Sequence, residues 1–118
     1  MSKSKQKLFL LALVTILSTA LAVLFLNYDP NKLTQRQELE KAINQAKYLY
    51  RMQKERYVDF SKGPCLSDAL MSGWVADIVH DPRQSIDDLG QNQCPSFIDG
   101  RARHFVELDT EGNFVRAK

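Results

Sequence analysis

The chain is short of the residues by which enzymes and metal modules usually declare themselves. It has two cysteines and two histidines in 118 residues, and neither cysteine has a partner at the C-x₂₋₄-C spacing of a zinc module. It lacks a glycine-rich phosphate loop, a Walker motif and a nucleophile-elbow serine, so phosphate-loop and serine-hydrolase chemistry have no support. His80-Asp81 and Asp87-Asp88 are merely adjacent, and neighbouring residues rarely converge on one reacting atom. Asp87 and Asp88 therefore read as solvated loop acids. There are no internal repeats and no low-complexity tracts. The basic residues are neither dense nor joined to an aromatic platform, which argues against a nucleic-acid partner.

Charge is absent from residues 8 to 26, LFLLALVTILSTALAVLFL, an apolar run broken only by Thr15, Ser18 and Thr19. As a helix rising ~1.5 Å per residue it would be roughly 28 Å long, close to a bilayer's hydrocarbon thickness. Backbone polar groups in lipid must bond within the segment, so a helix is expected. Residues 1–7, with Lys3, Lys5 and Lys7, form a basic tail before this transmembrane segment. Ala20-Leu21-Ala22 offers a signal-peptidase site as the rival reading. Val23 to Leu26 carry the apolar run past that point, which favours a retained anchor. No cysteine lies near the run, so a lipoprotein anchor is excluded.

Basic residues flank both ends of the run, with Lys32, Arg36 and Lys41 following it, so the positive-inside count is nearly tied. The short leading tail and the even number of cysteines favour a cytoplasmic N-terminus and an extracytoplasmic C-terminal domain, where disulfides persist. The lipid bilayer is then the first partner.

About 90 residues remain for one small soluble unit with a limited core. Asn31 to Tyr57 carries seven basic against three acidic residues, and Val58 to Lys118 six against ten. The basic block is either an ordinary solvated surface, a face for anionic lipid headgroups, or a receiver for the acidic block. Residues 27–62 predict an amphipathic juxtamembrane helix. Asp29-Pro30 supplies an N-cap and a first-turn proline, and Thr34 with Gln37 has the spacing of a second start. Leu39, Ala42, Ile43, Ala46, Leu49, Tyr50 and Tyr57 recur on one helical face, which is expected to pack on the rest of the chain. Tyr48 falls on the opposite side. The helix is expected to end between Val58 and Lys62, before Gly63-Pro64.

Residues 63–118 predict a small, loop-rich α+β domain. Ser67–Ser72 reads as a helical turn closed by Gly73, and Trp74–Val79 as a strand. Asp81–Cys94 reads as a long loop in which Ser85 and Asp88 are spaced to cap one turn. Arg103–Asp109 and Asn113–Arg116 form a hairpin across Asp109-Thr110-Glu111-Gly112. The fold class is thus α+β: an N-terminal transmembrane helix, an amphipathic extension, and a small antiparallel domain ending in a hairpin.

Cys65 and Cys94 each adjoin a proline in a predicted loop. A disulfide between them would close a loop of about 30 residues, stabilising by ~3 kcal/mol; two free thiols are the alternative. Zinc held by Cys65, Cys94, His80 and His104 is a further reading, weakened by the wide spacing of all four. His80 is expected at a strand end, His104 on the hairpin surface and Trp74 in the core. Together the three are the candidates for a surface site. No catalytic residue, metal or cofactor is assigned.

The order of elements, with the extension ELEKAINQAKYLYRMQKERYVDF followed by a two-cysteine domain and a terminal hairpin, resembles type IV pilins and pseudopilins. The resemblance implies a long helix, half in the membrane and half packed on an antiparallel sheet, and a structural role. The run opens Lys7-Leu8-Phe9-Leu10 without the glycine and glutamate of prepilins, so no functional residue is carried over. The expected function is that of a non-enzymatic, single-pass envelope protein, a structural or accessory subunit. Its helix would meet a protein partner or a second copy. The alternatives are a bitopic scaffold that recruits a partner within the membrane, and a ligand-binding or enzymatic head using Trp74, His80 and His104.

Overall fold

The computed structural model describes residues 1–118, the side chain of Leu33 excepted. The chain forms two compact units, Met1–Thr34 and Gln35–Lys118.

The first unit is dominated by helix α1 (Lys3–Leu26), whose N-cap Ser2 accepts from the Lys5 amide. The three lysines expected in a separate tail belong to this helix. No residue of α1 is buried, and its best window has a mean hydropathy of 2.7, long and apolar enough to cross a membrane. Its polar interruptions are satisfied internally. Thr15 Oγ1 donates to the Ala12 carbonyl at 2.8 Å, while Ser18 and Thr19 donate to that of Thr15, each at 3.0 Å. Hydroxyls bonded back to the preceding turn leave no unmet side-chain donor on the apolar surface of the helix. Asn27 closes the helix, its side-chain amide donating to the Val23 carbonyl.

Helix α2 (Pro30–Glu55) begins where the proline signal places it. The Asp29 carboxylate accepts from the amides of Asn31 and Lys32. Thr34 is not a second start, because its hydroxyl donates to the Pro30 carbonyl inside the helix. The helix ends at Glu55, earlier than expected, through a left-handed residue at Tyr57, φ 60°.

Within the second unit, α2 lies on a four-stranded sheet of order β1-β2-β3-β4 (Cys65–Met71, Trp74–Val79, His104–Asp109 and Phe114–Ala117). Both outer pairs are antiparallel, but β2 and β3 are parallel, in register from Trp74↔His104 to Val79↔Asp109. A parallel pair cannot be joined by a tight turn. Residues 80–103 supply the crossover, with two 3₁₀ turns and the short helix α3 (Pro95–Ile98). The terminal hairpin forms as expected. Ser67–Ser72 is instead largely strand. Leu66 and Leu70, both buried on the helix side, are four residues apart, a spacing that shares a face in a helix and in a strand alike. Bulges between Cys65 and Met71 further obscured the alternation.

Ala42, Ala46 and Tyr50 pack with Leu66, Leu70, Trp74, Ala76, Ile78, Val106 and Leu108 in the main core. Ile78, Val106 and Leu108 are fully buried, each worth about 1.5–3 kcal/mol. Leu39, Ile43 and Leu49 pack at its edge. Tyr57, expected on this face, is instead 96% exposed, since the helix stops before reaching it. Alanines at the centre let the helix approach closely enough for its amides to bond β1: Gln45 Nε2 donates to the Leu70 carbonyl and Gln53 Nε2 to that of Leu66. Eight helical residues rise ~12 Å and four strand residues ~13 Å, so the two glutamines match the strand's pitch.

Candidate functional site

The three side chains proposed for a surface site are divided between the two ends of β2. Trp74 and His104 start neighbouring parallel strands, and their rings stack at 4.7 Å. The buried indole donates Nε1–H to Glu38 Oε1 at 2.9 Å, tying the sheet to α2. His80 follows the other end of β2, about 20 Å further along at ~3.3 Å per residue. It does not join the Trp74–His104 pair.

At that far end Asp87 is 1% exposed, against the expectation of a solvated loop acid. The 3₁₀ turn Ser85–Asp88 folds it inward. There it accepts from the backbone amides of His80 (3.0 Å) and Gln84 (2.9 Å), and lies 2.8 Å from His80 Nδ1. Burial opposes its charge, but the bonds from Gln84 and from the ring and amide of His80 outweigh it. They hold the carboxyl below its ordinary range. His80 Nε2 faces the Ser61 carbonyl at 2.9 Å. The arrangement imitates a Ser-His-Asp relay, but the serine contributes a backbone oxygen, which is no nucleophile. It is a clamp that pins the segment after α2 to the sheet. Gly63, at φ 65°, completes it, because a Cβ there would collide with the Asp87 carboxylate.

The zinc set does not converge. The Cys65 and Cys94 sulfurs are 2.07 Å apart, a bonding distance, and the two histidines have the separate partners just described. Asp68 lies near the sulfurs, but accepts from the Ser96 amide at 2.7 Å and its hydroxyl at 2.6 Å. These bonds, the hydroxyl's first, hold Asp68 below the ordinary carboxylate range. The disulfide and the Asp68–Ser96 pair together anchor α3 against β1.

A concentration of charge lies on the sheet face turned away from α2. Register aligns Cys65, Asp77, Glu107 and Arg116 in one row across the four strands. Glu107 is 5% exposed and fully engaged. Arg116 reaches it through Nε (2.6 Å) and Nη2 (3.1 Å), and Arg83, from the crossover, through Nη1 (3.2 Å). Arg83 also grips Asp88. Asp77 is in no such ion pair: among the described residues its one hydrogen-bond donor is the adjacent Ile78 amide, and Arg83 acts on it only from a distance. Burial foremost, then the neighbouring Glu107 carboxylate, push its carboxyl up to about 8. These groups line a cleft of about 110 Å³ walled by Phe97 and Phe105, whose rings meet edge to face at 5.2 Å.

This row is not among the candidate residues that the sequence marks. A signal was present: WVAD and HFVE each place one acid at the fourth position of an apolar strand, and only parallel pairing brings the two side by side. No family model, curated protein or solved structure matches the chain.

Proposed function

We propose that this is a single-pass, membrane-anchored envelope protein, with its N-terminus in the cytoplasm and Gln35–Lys118 displayed on the extracytoplasmic side. It serves as a structural or accessory subunit of pilin-like type, working through contacts rather than catalysis. The observation that carries the reading is the division of labour between the helices. An apolar helix with no buried residue lies in one unit, while Ala42, Ala46 and Tyr50 of the next helix are buried in a sheet core. A bitopic scaffold would need that second helix face for a partner, and here the chain's own sheet covers it. The Cys65–Cys94 bond favours the oxidising side of the membrane.

The test is fractionation of cells expressing the full chain, followed by external protease on intact spheroplasts. Recovery in the membrane fraction, with the C-terminal domain digested from outside, is the expected result. A soluble protein, or a domain protected until the membrane is broken, would overturn the assignment.

A further inference from the structure

We propose that the cleft beneath the crossover is a binding site for a primary ammonium group, seated on the Asp77 carboxylate between Phe97 and Phe105. This goes beyond the structural role above and does not depend on the topology.

Glu107 is matched by Arg83 and Arg116, and Arg83 is shared with Asp88. These four groups balance. Asp77 is the remaining acid of the row: Arg83 favours its charge only from a distance, Glu107 and Asp87 oppose it, and among the described residues it makes no ion pair. One of its oxygens accepts from the Ile78 amide, which leaves the other for a ligand. An ionised Asp77 therefore adds one unmatched negative charge to a partly desolvated cleft, where a compensating cation is worth more than in water.

The shape selects the kind of cation. A space of about 110 Å³ suits a group no larger than a benzene ring or a short alkyl chain. The walls are aromatic: Phe97 meets Phe105 edge to face, and the Phe105 ring already carries the Arg116 guanidinium at 5.1 Å, so the rings are left to receive an apolar stem rather than a second cation. An alkylammonium offers a compact charge for the carboxylate and an apolar stem for the phenyl rings. A free small amine and a lysine side chain share this chemistry.

Below about pH 8, binding must displace a proton. Because burial and the Glu107 carboxylate push the Asp77 carboxyl up to about 8, while an alkylammonium keeps its proton to about pH 10, the ligand competes with hydrogen ion for one carboxylate. Apparent affinity should be constant above pH 8 and fall about tenfold per unit below it.

The experiment uses the full chain in zwitterionic detergent micelles, which hold no anionic headgroup to attract amines. n-Butylammonium is titrated at pH 6.5 and pH 9, followed by the Asp77 carboxyl carbon and Phe105 ring resonances. Nα-Acetyl-lysine methylamide and n-butyrate are run alongside. Saturable shifts that are far stronger at pH 9, and absent in Asp77→Asn, are expected. Binding of n-butylammonium alone assigns the site to free amines, and binding of the lysine analogue as well admits a partner's side chain. The pH comparison on the unaltered protein stands even if Asp77→Asn fails to fold. The proposal is overturned by absence of saturation at both pH values, by equal affinity at the two, by undiminished binding in a folded Asp77→Asn, or by preferential binding of n-butyrate.

Discussion

Single residues set the limits of this domain's stability in opposite directions. Tyr57 stands at a helix end where glycine is usual. The Val58 amide bonds the Gln53 carbonyl and the Tyr57 amide that of Lys54, the Schellman pattern, with Tyr57 in its left-handed slot. At 96% exposure the ring packs against almost nothing, so the strain has no local return. Tyr57→Gly should raise stability by up to ~1 kcal/mol, seen as a rise of a few degrees in the unfolding midpoint. Trp74, the sole tryptophan, is buried and serves as the fluorescent reporter. Asp87→Ala should do the reverse: stripping the buried carboxylate from two amides and an imidazole costs about 3 kcal/mol or more. The pH profile follows from the same groups. The stability contributed by Asp87 is full above the ordinary carboxylate range and is lost as pH falls through its lowered folded value. Asp77 acts oppositely. Its folded carboxyl binds the proton more tightly than the unfolded one, so its contribution is full below the unfolded value of 3.8 and lost as pH rises toward about 8. Midpoints measured from pH 4 to 9 should therefore peak on the acidic side of neutrality, and Asp77→Asn should flatten the decline above the peak. An unchanged slope in that variant would remove Asp77 as its cause.

At the scale of elements, α2 against the sheet is the contact on which the domain rests. Ala46 is fully buried at its centre. Ala46→Glu would place a carboxylate there with no prepared partner, costing several kcal/mol unless it protonates or the helix lifts away. Trp74 fluorescence should then report a much lower midpoint, and an unchanged one would mean the helix face is not held by the sheet. The turn between β3 and β4 is fixed by the same helix. Tyr50 donates its hydroxyl to the Thr110 carbonyl at 2.8 Å, and its ring lies where a Cβ on Gly112 would stand. The stripe of Leu39, Ala42, Ile43, Ala46 and Tyr50 was legible in the sequence because helical periodicity marks a face whatever it packs against. The hairpin was legible because its turn chemistry is local. The parallel pairing of β2 with β3 was not, since it is decided by a crossover of residues 80–103 and by no nearby signal. The charged row was hidden for the same reason: Asp77 and Glu107 are 30 positions apart in the chain, and only register makes them neighbours. Asp87 misled because adjacency to Asp88 looked like a solvated pair, whereas a single 3₁₀ turn sends one inward and leaves the other out.

At the scale of the whole molecule, the apolar helix and the domain pose separate questions. If α1 is retained, intact mass of the membrane-extracted protein should include residues 1–26, apart from loss of Met1. A mature terminus at Val23 would make the protein secreted and remove the anchor from the proposed role. The domain's own integrity turns on how its crossover is held. The central strands β2 and β3 are buried on both faces, and residues 80–103 supply the cover on the side away from α2, with Cys94 and Ala102 packed against Val75. Two ties fasten that cover near its end: the Cys65–Cys94 bond and the bonds of Asp68 to Ser96. Both act at the start of one short helix, Cys94 at its N-cap and Ser96 in its first turn. Reduction, or the Cys65→Ser, Cys94→Ser double variant, should cost about 3 kcal/mol through the freedom returned to the unfolded chain, with the sheet still formed. Adding Asp68→Ala should cost more than its effect in the disulfide-bonded protein, because neighbouring ties on one segment do not act independently. Thiol labelling of freshly extracted protein, with exchange blocked, is the companion measurement. Two freely labelled cysteines would remove the covalent tie together with the case for an extracytoplasmic domain, and strict additivity in the triple variant would show that the two ties hold different things.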